Sequence, residues 1–159
     1  MDVAIIMGSL SDKQKMSGAA ECLTKFGIEF SARVLSAHRV PEALHAYLAD
    51  AERAGCKVVI AGAGCAAHLP GVVASSVTMP VIGVPLDGSL DGMDALLSIV
   101  QMPKNIPVAS VAINNSFNAA MLAVQILAVG DEAIRTKLQE FRASMKEDFL
   151  KQHNTELQW

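Results

Sequence analysis

Five apolar residues, Val3-Ala4-Ile5-Ile6-Met7, run directly into Gly8-Ser9-Leu10-Ser11-Asp12. An uninterrupted apolar run of this length is typical of a strand that is buried on both faces of a parallel sheet. Ser11-Asp12 then supplies a helix N-cap, and the apolar residues that follow recur at helical spacing until Gly27. The stretch therefore predicts a strand, a tight turn and a helix.

The same alternation continues to the end of the chain. Further strands are predicted at 28–35, 57–61, 81–84 and 108–113. Further helices are predicted from Pro41 to Gly55 and at about 70–77, 92–100, 118–129 and 131–152. Because short Gly/Pro connections join alternating strands and helices, we expect a single domain over 1–159 with a three-layer α/β/α, flavodoxin-like fold and a parallel sheet of about five strands.

Composition excludes several classes of protein. The 159 residues are 52% hydrophobic and 18% charged, which excludes disorder and suits one domain. With 13 basic and 16 acidic residues and 4% aromatics, the chain is not expected to bind nucleic acid. The long uncharged stretches are broken by prolines and polar residues, and no basic segment precedes the first apolar run. We therefore expect a cytoplasmic protein that does not enter a membrane.

Candidate metal ligands lack suitable spacing. Cys22, Cys56 and Cys65 form no CxxC pair, so neither a disulfide framework nor a zinc site is indicated. The acidic group Asp87, Asp91 and Asp94 does not follow a calcium loop, and a solvated helix start explains it better. No metal is predicted.

Three segments, 8–12, 36–41 and 61–71, follow the first three predicted strands. Because open α/β sheets bind ligands beyond the carboxyl ends of their strands, we expect these segments to form one pocket. Gly8 allows a close backbone approach, and Ser9 with the next helix start suits a phosphate. Asp12 would repel a phosphate and fits sugar hydroxyls better. A plain Ser/Asp helix cap is the alternative, and this segment alone favours it.

His38 and Arg39 stand side by side in the second segment. Arg39 can bind a phosphate with two hydrogen bonds, and His38 can exchange protons near neutral pH. The alternative is a histidine and an arginine on an ordinary surface loop. Their place at the carboxyl end of a strand makes a site as plausible as that alternative.

The third segment contains Gly62-x-Gly64-x-x-Ala67, which resembles a dinucleotide fingerprint. Pro70 predicts that the next helix begins near 69–70, so these glycines do not open it and a bound pyrophosphate is disfavoured. The alternative is a wall of small apolar residues with His68 as its titratable group. No partner is spaced to make His68 a metal ligand.

Two helices bear on assembly. From Ala119 to Val129 the predicted helix is polar only at Gln125, so we expect some of its faces to meet another subunit. The helix at about 131–152 carries an apolar stripe made of Ile134, Leu138, Phe141, Met145 and Phe149. This stripe fits packing on its own sheet as well as packing on a neighbour, and we predict a subunit interface there.

Four ordered motifs, spread over nearly the whole chain, point to one family. They are Met7-Gly8-Ser9-x-Ser11-Asp12, Ser36-Ala37-His38-Arg39-x-Pro41, Ala61-Gly62-Ala63-Gly64-x-Ala66-Ala67-His68-Leu69-Pro70-Gly71 and Gln101-Met102-Pro103. Together they resemble the class I N(5)-carboxyaminoimidazole ribonucleotide mutases of bacterial purine biosynthesis. In the related branch that carboxylates aminoimidazole ribonucleotide directly, lysine replaces the arginine and the His-Leu-Pro-Gly loop is altered. Arg39 and the intact 68–71 loop therefore favour the mutase branch.

The resemblance implies a homo-octamer that acts on a small ribonucleotide and uses no metal, flavin or nucleotide cofactor. It implies that His38 is the catalytic, proton-transferring residue. It also implies substrate binding by Ser9, Asp12, Arg39, Gly8, Ser36, Gly64, Ala66, Ala67, His68 and Leu69.

The implied reaction moves a carboxylate from the exocyclic nitrogen to ring carbon four, which gives 4-carboxy-5-aminoimidazole ribonucleotide on the route to IMP. Carbon dioxide leaves and is recaptured while His38 acts as acid and then as base. Three alternatives stay open, which are a direct carboxylase, a non-catalytic flavin- or dinucleotide-binding module and an interaction scaffold.

Overall fold

A parallel five-stranded sheet forms the middle layer of the molecule, and helices cover both of its faces. The computed structural model describes residues 1–153 and 156. Its strands are β1 (Val3–Met7), β2 (Phe30–Val34), β3 (Val58–Gly64), β4 (Val81–Leu86) and β5 (Ala109–Ser110). Its α-helices are α1 (Lys13–Phe26), α2 (Pro41–Arg53), α3 (Leu69–Ser76), α4 (Met93–Val100), α5 (Ser116–Ala128) and α6 (Glu132–His153). The predicted α/β/α, flavodoxin-like fold is confirmed.

The strand order is β2-β1-β3-β4-β5, with every pair parallel. Val3 lies opposite Phe30 of β2 on one side and Val58 of β3 on the other. The chain thus leaves β1 toward one edge of the sheet and later returns to β1's other side. The loops after β1 and β3 therefore lead to opposite faces of the sheet. The position where the direction of the connections changes in this way is called a switch point, and open parallel sheets bind ligands there.

Alternate residues of β1 enter two separate cores. Val3, Ile5 and Met7 pack with α1, α5 and the first half of α6, whereas Ala4 and Ile6 pack with α2, α3 and α4. All five residues of β1 are buried. A strand covered on both faces has no polar side to show, which explains the unbroken apolar run.

β1 has its predicted bounds, and the other four strands differ from theirs: β2 is shorter, β4 extends to Leu86, and β3 and β5 also change. β3 extends through Gly64 because its ladder with β4 continues to the Gly64–Leu86 pair. Gly62 and Gly64 thus lie inside a strand, and α3 begins only at Leu69, which is not the geometry of a dinucleotide-binding turn. β5 shrinks to two residues because the chain beyond Ser110 follows β4 through irregular hydrogen bonds instead of a ladder.

α5 and α6 contact each other within one chain. The buried side of α5 includes Ala119, Ala123 and Val124, and the first half of α6 packs against the same core. The Phe141 ring of α6 lies edge-on to Phe26, with centroids 5.6 Å apart. Farther along α6, Phe149 is 64% exposed. The first half of the apolar stripe therefore packs on its own chain, and a subunit interface at its second half stays a prediction.

No helix among the described residues is both long and apolar enough to traverse a lipid bilayer.

Gly83 lies where β4, α4 and the segment before β5 meet most closely. A Cβ atom there would lie 2.5 Å from Ile99 Cγ2 and 3.1 Å from Val108 Cγ1. Since Ile99 is fully buried, we expect Gly83→Ala to lower the free energy of unfolding by about 1–3 kcal/mol. Urea denaturation measures this change. Gly130→Ala is the matched control, because nothing lies within 4 Å of its Cβ position. Equal midpoints for the two variants would show that the contact is not tight.

Candidate active site

A cavity of about 570 Å³ opens at the carboxyl ends of β1 to β4. This volume falls in the range of pockets that hold a small ligand, roughly 300–1,000 Å³. Its lining comes from the loops after these four strands and from the start of α1. The lining residues are Gly8, Ser9, Ser11, Asp12, Lys15, Ser36, Ala37, His38, Arg39, Ala63, Gly64, Cys65, Ala66, His68, Leu69 and Asp87.

The structure brings all but one of the predicted site residues to this cavity. The exception is Ala67, which was expected to line the pocket. Ala67 is 1% exposed and packs in the core beneath α2 and α3. The loop turns into α3 at this point, so Ala67 supports the cavity wall from below while its neighbours Ala66 and His68 reach the surface.

The loop after β1 forms a helix cap. The Ser9 amide donates to Asp12 Oδ2 at 3.1 Å, and the Ser11 amide donates to Ser9 Oγ at 3.3 Å. The Ser11 hydroxyl also lies 2.9 Å from the Ser9 hydroxyl. The Ser/Asp cap that the segment alone favoured is thus present, but Ser9 and Asp12 make it around the short 3-10 turn Leu10–Asp12, whereas Ser11-Asp12 was the predicted cap. It also fixes the positions of two hydroxyls and one carboxylate that line the cavity.

Arg39 joins the loop after β2 to the loop after β1. Its Nη2 donates to the Gly8 carbonyl at 2.7 Å, and its backbone amide donates to Ser36 Oγ at 3.3 Å. A guanidinium has five N–H donors. Arg39 can therefore hold the Gly8 carbonyl and still bind an anion beside Ser9.

His38 and His68 contact each other across the cavity wall. His38 Nε2 lies 2.8 Å from His68 Nδ1, and the two rings are nearly perpendicular at 89°. An imidazole–imidazole hydrogen bond needs one protonated and one unprotonated nitrogen. One ring therefore donates to the other, and both rings are exposed to a ligand in the cavity.

Lys15 and Asp87 line the cavity and were not among the predicted site residues. Lys15 Nζ forms an ion pair with the Asp87 carboxylate and donates to the Asp87 carbonyl at 2.8 Å. The Lys15 ammonium, and next the Asn114 side chain, hold the pKa of Asp87 below its usual range. Asp87 thus belongs to the cavity and not to a helix start, because β4 ends beside it and α4 begins only at Met93.

A periodicity argument could have found Lys15. It lies three residues after Asp12 and thus on the same side of α1, where residues spaced by three or four are neighbours. Asp87 directly follows β4, at the same edge of the sheet as the residues of the other three loops. The ion pair joins residues 72 positions apart, and such a contact leaves no local pattern in the sequence.

Of the three cysteines, Cys65 lines the cavity. Burial raises the pKa of Cys22 to about 11 and also raises the pKa of Cys56. Cys65 is exposed and has a left-handed backbone with a φ of 54°. Within residues 1–153 and 156, no group of three or more His, Cys, Asp or Glu side chains is arranged to hold a metal ion.

Comparison with known proteins decides the family. The profile of the AIR carboxylase family matches residues 2–148. The chain belongs to this family. The resemblance seen in the four motifs is thereby confirmed.

Members of the AIR carboxylase family with two different names match the chain equally well. The N5-carboxyaminoimidazole ribonucleotide mutase of Saccharolobus solfataricus is 52% identical over 149 residues, which cover 93% of this chain and 94% of that protein. The phosphoribosylaminoimidazole carboxylase of Saccharomyces cerevisiae is 53% identical over 149 residues, which cover 93% of this chain. The chain spans only 26% of the length of that yeast relative. Identity alone therefore does not separate the two activities.

A solved structure agrees with the family assignment. The crystal structure of Treponema denticola PurE superimposes with a TM-score of 0.86 at 32% identity and covers 94% of each chain. The two proteins therefore share their architecture over most of the chain.

Proposed function

We propose that this protein is an N5-carboxyaminoimidazole ribonucleotide mutase of purine biosynthesis. One observation carries the proposal. A single cavity unites Arg39, the Ser9–Asp12 cap and the His38–His68 pair, in a chain that matches 94% of the length of a protein named as this mutase. The order of the residues around the cavity suits a phosphorylated sugar joined to a small heterocycle.

Recognition of the ribonucleotide divides between two loops. Arg39 and the hydroxyl of Ser9 bind the phosphate, because a guanidinium and a hydroxyl both donate to anionic oxygens. Asp12 accepts hydrogen bonds from the ribose hydroxyls. Its Oδ2 already accepts from the Ser9 amide, and this bond orients the carboxylate before the ligand arrives.

The chemistry has two steps, each with a proton transfer through His38. First, the carbamate C–N bond breaks, carbon dioxide leaves and His38 protonates the exocyclic nitrogen. Ring carbon four then attacks the same carbon dioxide, a C–C bond forms, and His38 removes the proton from that carbon. The proton given in the first step is recovered in the second, so no co-reactant is needed.

The loop after β3 keeps carbon dioxide beside the ring. Gly64 and Ala66 line the cavity and present almost no polar side chain. A poorly solvated carbamate loses carbon dioxide more readily, and confinement makes recapture intramolecular. His68 is placed to position the acid–base histidine, since its Nδ1 lies within hydrogen-bond distance of His38 Nε2.

Direct carboxylation is the second candidate, and the 53% identity to a carboxylase is the observation that favours it. Arg39 and the intact His68–Gly71 loop favour the mutase, because lysine and an altered loop mark the related branch of direct carboxylases. Both activities would use the same acid–base histidine. They differ in whether the carbon dioxide comes from the substrate or from solution.

An isotope experiment separates the two activities. The enzyme receives N5-carboxyaminoimidazole ribonucleotide labelled with carbon-13 in its carbamate, in an excess of unlabelled bicarbonate. We expect the label to be retained in the product carboxylate, because the carbon dioxide is recaptured before it escapes. Carbon-13 NMR or mass spectrometry measures the retention. Product at the isotopic composition of the bicarbonate would contradict the mutase and support the carboxylase. Aminoimidazole ribonucleotide with bicarbonate alone is the parallel control.

The role of His38 is tested by replacing it with asparagine. We expect His38→Asn to lower turnover by about 10²–10⁴-fold, the range for loss of a general acid–base group, while product binding changes little. His45→Asn is the matched control, since His45 is an exposed histidine on α2 outside the cavity. Turnover is followed by ultraviolet absorbance and binding by calorimetry. Normal turnover of His38→Asn would remove His38 from the mechanism.

We further propose that the protein is a homo-octamer, as the family resemblance implies. One face of α4 exposes Met93, Leu97 and Val100 at 52%, 51% and 43%, and the end of α6 exposes Met145 and Phe149. Contiguous apolar faces of this kind usually meet another subunit. Sedimentation velocity should give a mass about eight times that of the 16.8 kDa chain, and Leu97→Glu should give smaller species. A monomeric wild-type protein at micromolar concentration would contradict the assembly.

A further inference from the structure

We propose that Lys15 is a substrate-binding residue that exchanges the Asp87 carboxylate for an anionic oxygen of the bound ribonucleotide. The inference rests on the function proposed above and deepens it. Neither residue lies in the four motifs that carry the family resemblance, and neither was among the predicted site residues.

The position of Lys15 places it in reach of a ligand. It lies in the first turn of α1, three residues after Asp12, and both residues line the cavity. Its ammonium crosses from α1 to the end of β4, where it binds the side chain and the carbonyl of Asp87. The ammonium therefore lies at the carboxyl end of β4, in the same cavity as Asp12.

The ion pair with Asp87 is easy to open. The Lys15 and Asp87 side chains are 38% and 46% exposed, and solvent-exposed ion pairs contribute little to stability. Lysine carries its charge on a flexible stem with three donors, so it can turn toward a new acceptor. Asp87 stays in place meanwhile, because its amide donates to Asn114 Oδ1 at 3.0 Å.

The charges around the cavity supply the reason for the exchange. The cations Lys15 and Arg39 balance the anions Asp12 and Asp87, so the fixed charges that line the empty cavity sum to zero. A ribonucleotide with a phosphate and a carboxylate adds at least two negative charges. The single positive charge of Arg39 does not offset these two negative charges, because the negative charge of Asp12 lines the same cavity. Release of Lys15 from Asp87 brings a second cation to the ligand.

The first arm of the test measures binding to two related ribonucleotides by calorimetry. The probes are 4-carboxy-5-aminoimidazole ribonucleotide and aminoimidazole ribonucleotide, which lacks the carboxylate. We expect Lys15→Met to weaken binding by about tenfold, as loss of a charge-assisted hydrogen bond does. Equal weakening for both probes identifies the phosphate as the partner, and weakening of only the carboxylated probe identifies the carboxylate.

Lys13→Met is the matched control for this arm. Lys13 lies on the same helix turn and carries the same charge, but it does not line the cavity. We expect Lys13→Met to bind both probes within about twofold of the wild type, because surface charges act weakly at a distance. Equal dissociation constants for the two variants would overturn the inference. Lys15→Arg, which keeps the charge, should lie between wild type and Lys15→Met.

The second arm removes the competing carboxylate. Asp87→Asn should tighten binding of the carboxylated probe by about threefold, in line with the small free energy of an exposed ion pair. In a protein that already carries Lys15→Met, Asp87→Asn should tighten binding of the carboxylated probe by less than threefold. Weaker or unchanged binding by Asp87→Asn alone would overturn the exchange, even if the Lys15→Met protein proved unstable.

The outcomes separate this inference from the proposed function. A wild-type protein that binds neither ribonucleotide overturns both. A wild-type protein that binds the ribonucleotides and converts the carbamate, with Lys15→Met equal to Lys13→Met, overturns the role of Lys15 and leaves the mutase in place.

Discussion

The contact between Met16 and Gly62 sets the distance between α1 and the sheet, and the site depends on that distance. The Met16 side chain is 2% exposed and lies directly over the α-carbon of Gly62 in β3, where even a methyl group would collide with it. α1 can therefore lie close to the middle of the sheet. Its first turn carries Asp12 and Lys15 to the carboxyl end of β3, beside the loop that holds His68. Gly62 is thus required by the packing of α1 on β3. Its presence there accounts for the first glycine of the apparent dinucleotide fingerprint.

The sequence predicts the layers well because each element carries its own local signal. The run from Val3 to Met7 is apolar since both faces of β1 are covered, and Pro41 opens α2 at the residue expected. Strand lengths are harder to predict because the hydrogen-bond ladder of a strand ends where the neighbouring strand ends. β3 continues to Gly64 because Leu86 of β4 pairs with Gly64. No pattern within residues 57–64 indicates that this pairing exists.

In the candidate site, too, residues with a local sequence signal could be predicted and residues placed by long-range contacts could not. His38, Arg39 and the Ser9–Asp12 turn could be predicted because the residues that follow parallel strands share one edge of the sheet. Ala67 could not be separated from Ala66, since which of two adjacent alanines faces the cavity depends on how the loop enters α3. Asp87 likewise acquires its place from Lys15 and Asn114, which are distant in the sequence. Helix capping and ligand binding are also compatible at Ser9, because the cap holds the groups that the ligand would meet.

The histidine pair shows why the strand order matters for chemistry. His38 follows β2 and His68 follows β3, and β1 lies between these two strands. The pair therefore spans the loop after β1, which contains Gly8. Arg39 crosses the same glycine to reach its carbonyl oxygen. Since the 2.8 Å contact between the rings requires one unprotonated nitrogen, the resting pair keeps one acceptor and one donor facing each other. Such a pair is suited to a reaction that lends one proton and takes it back, because the contact with His68 holds the His38 ring in place for both transfers.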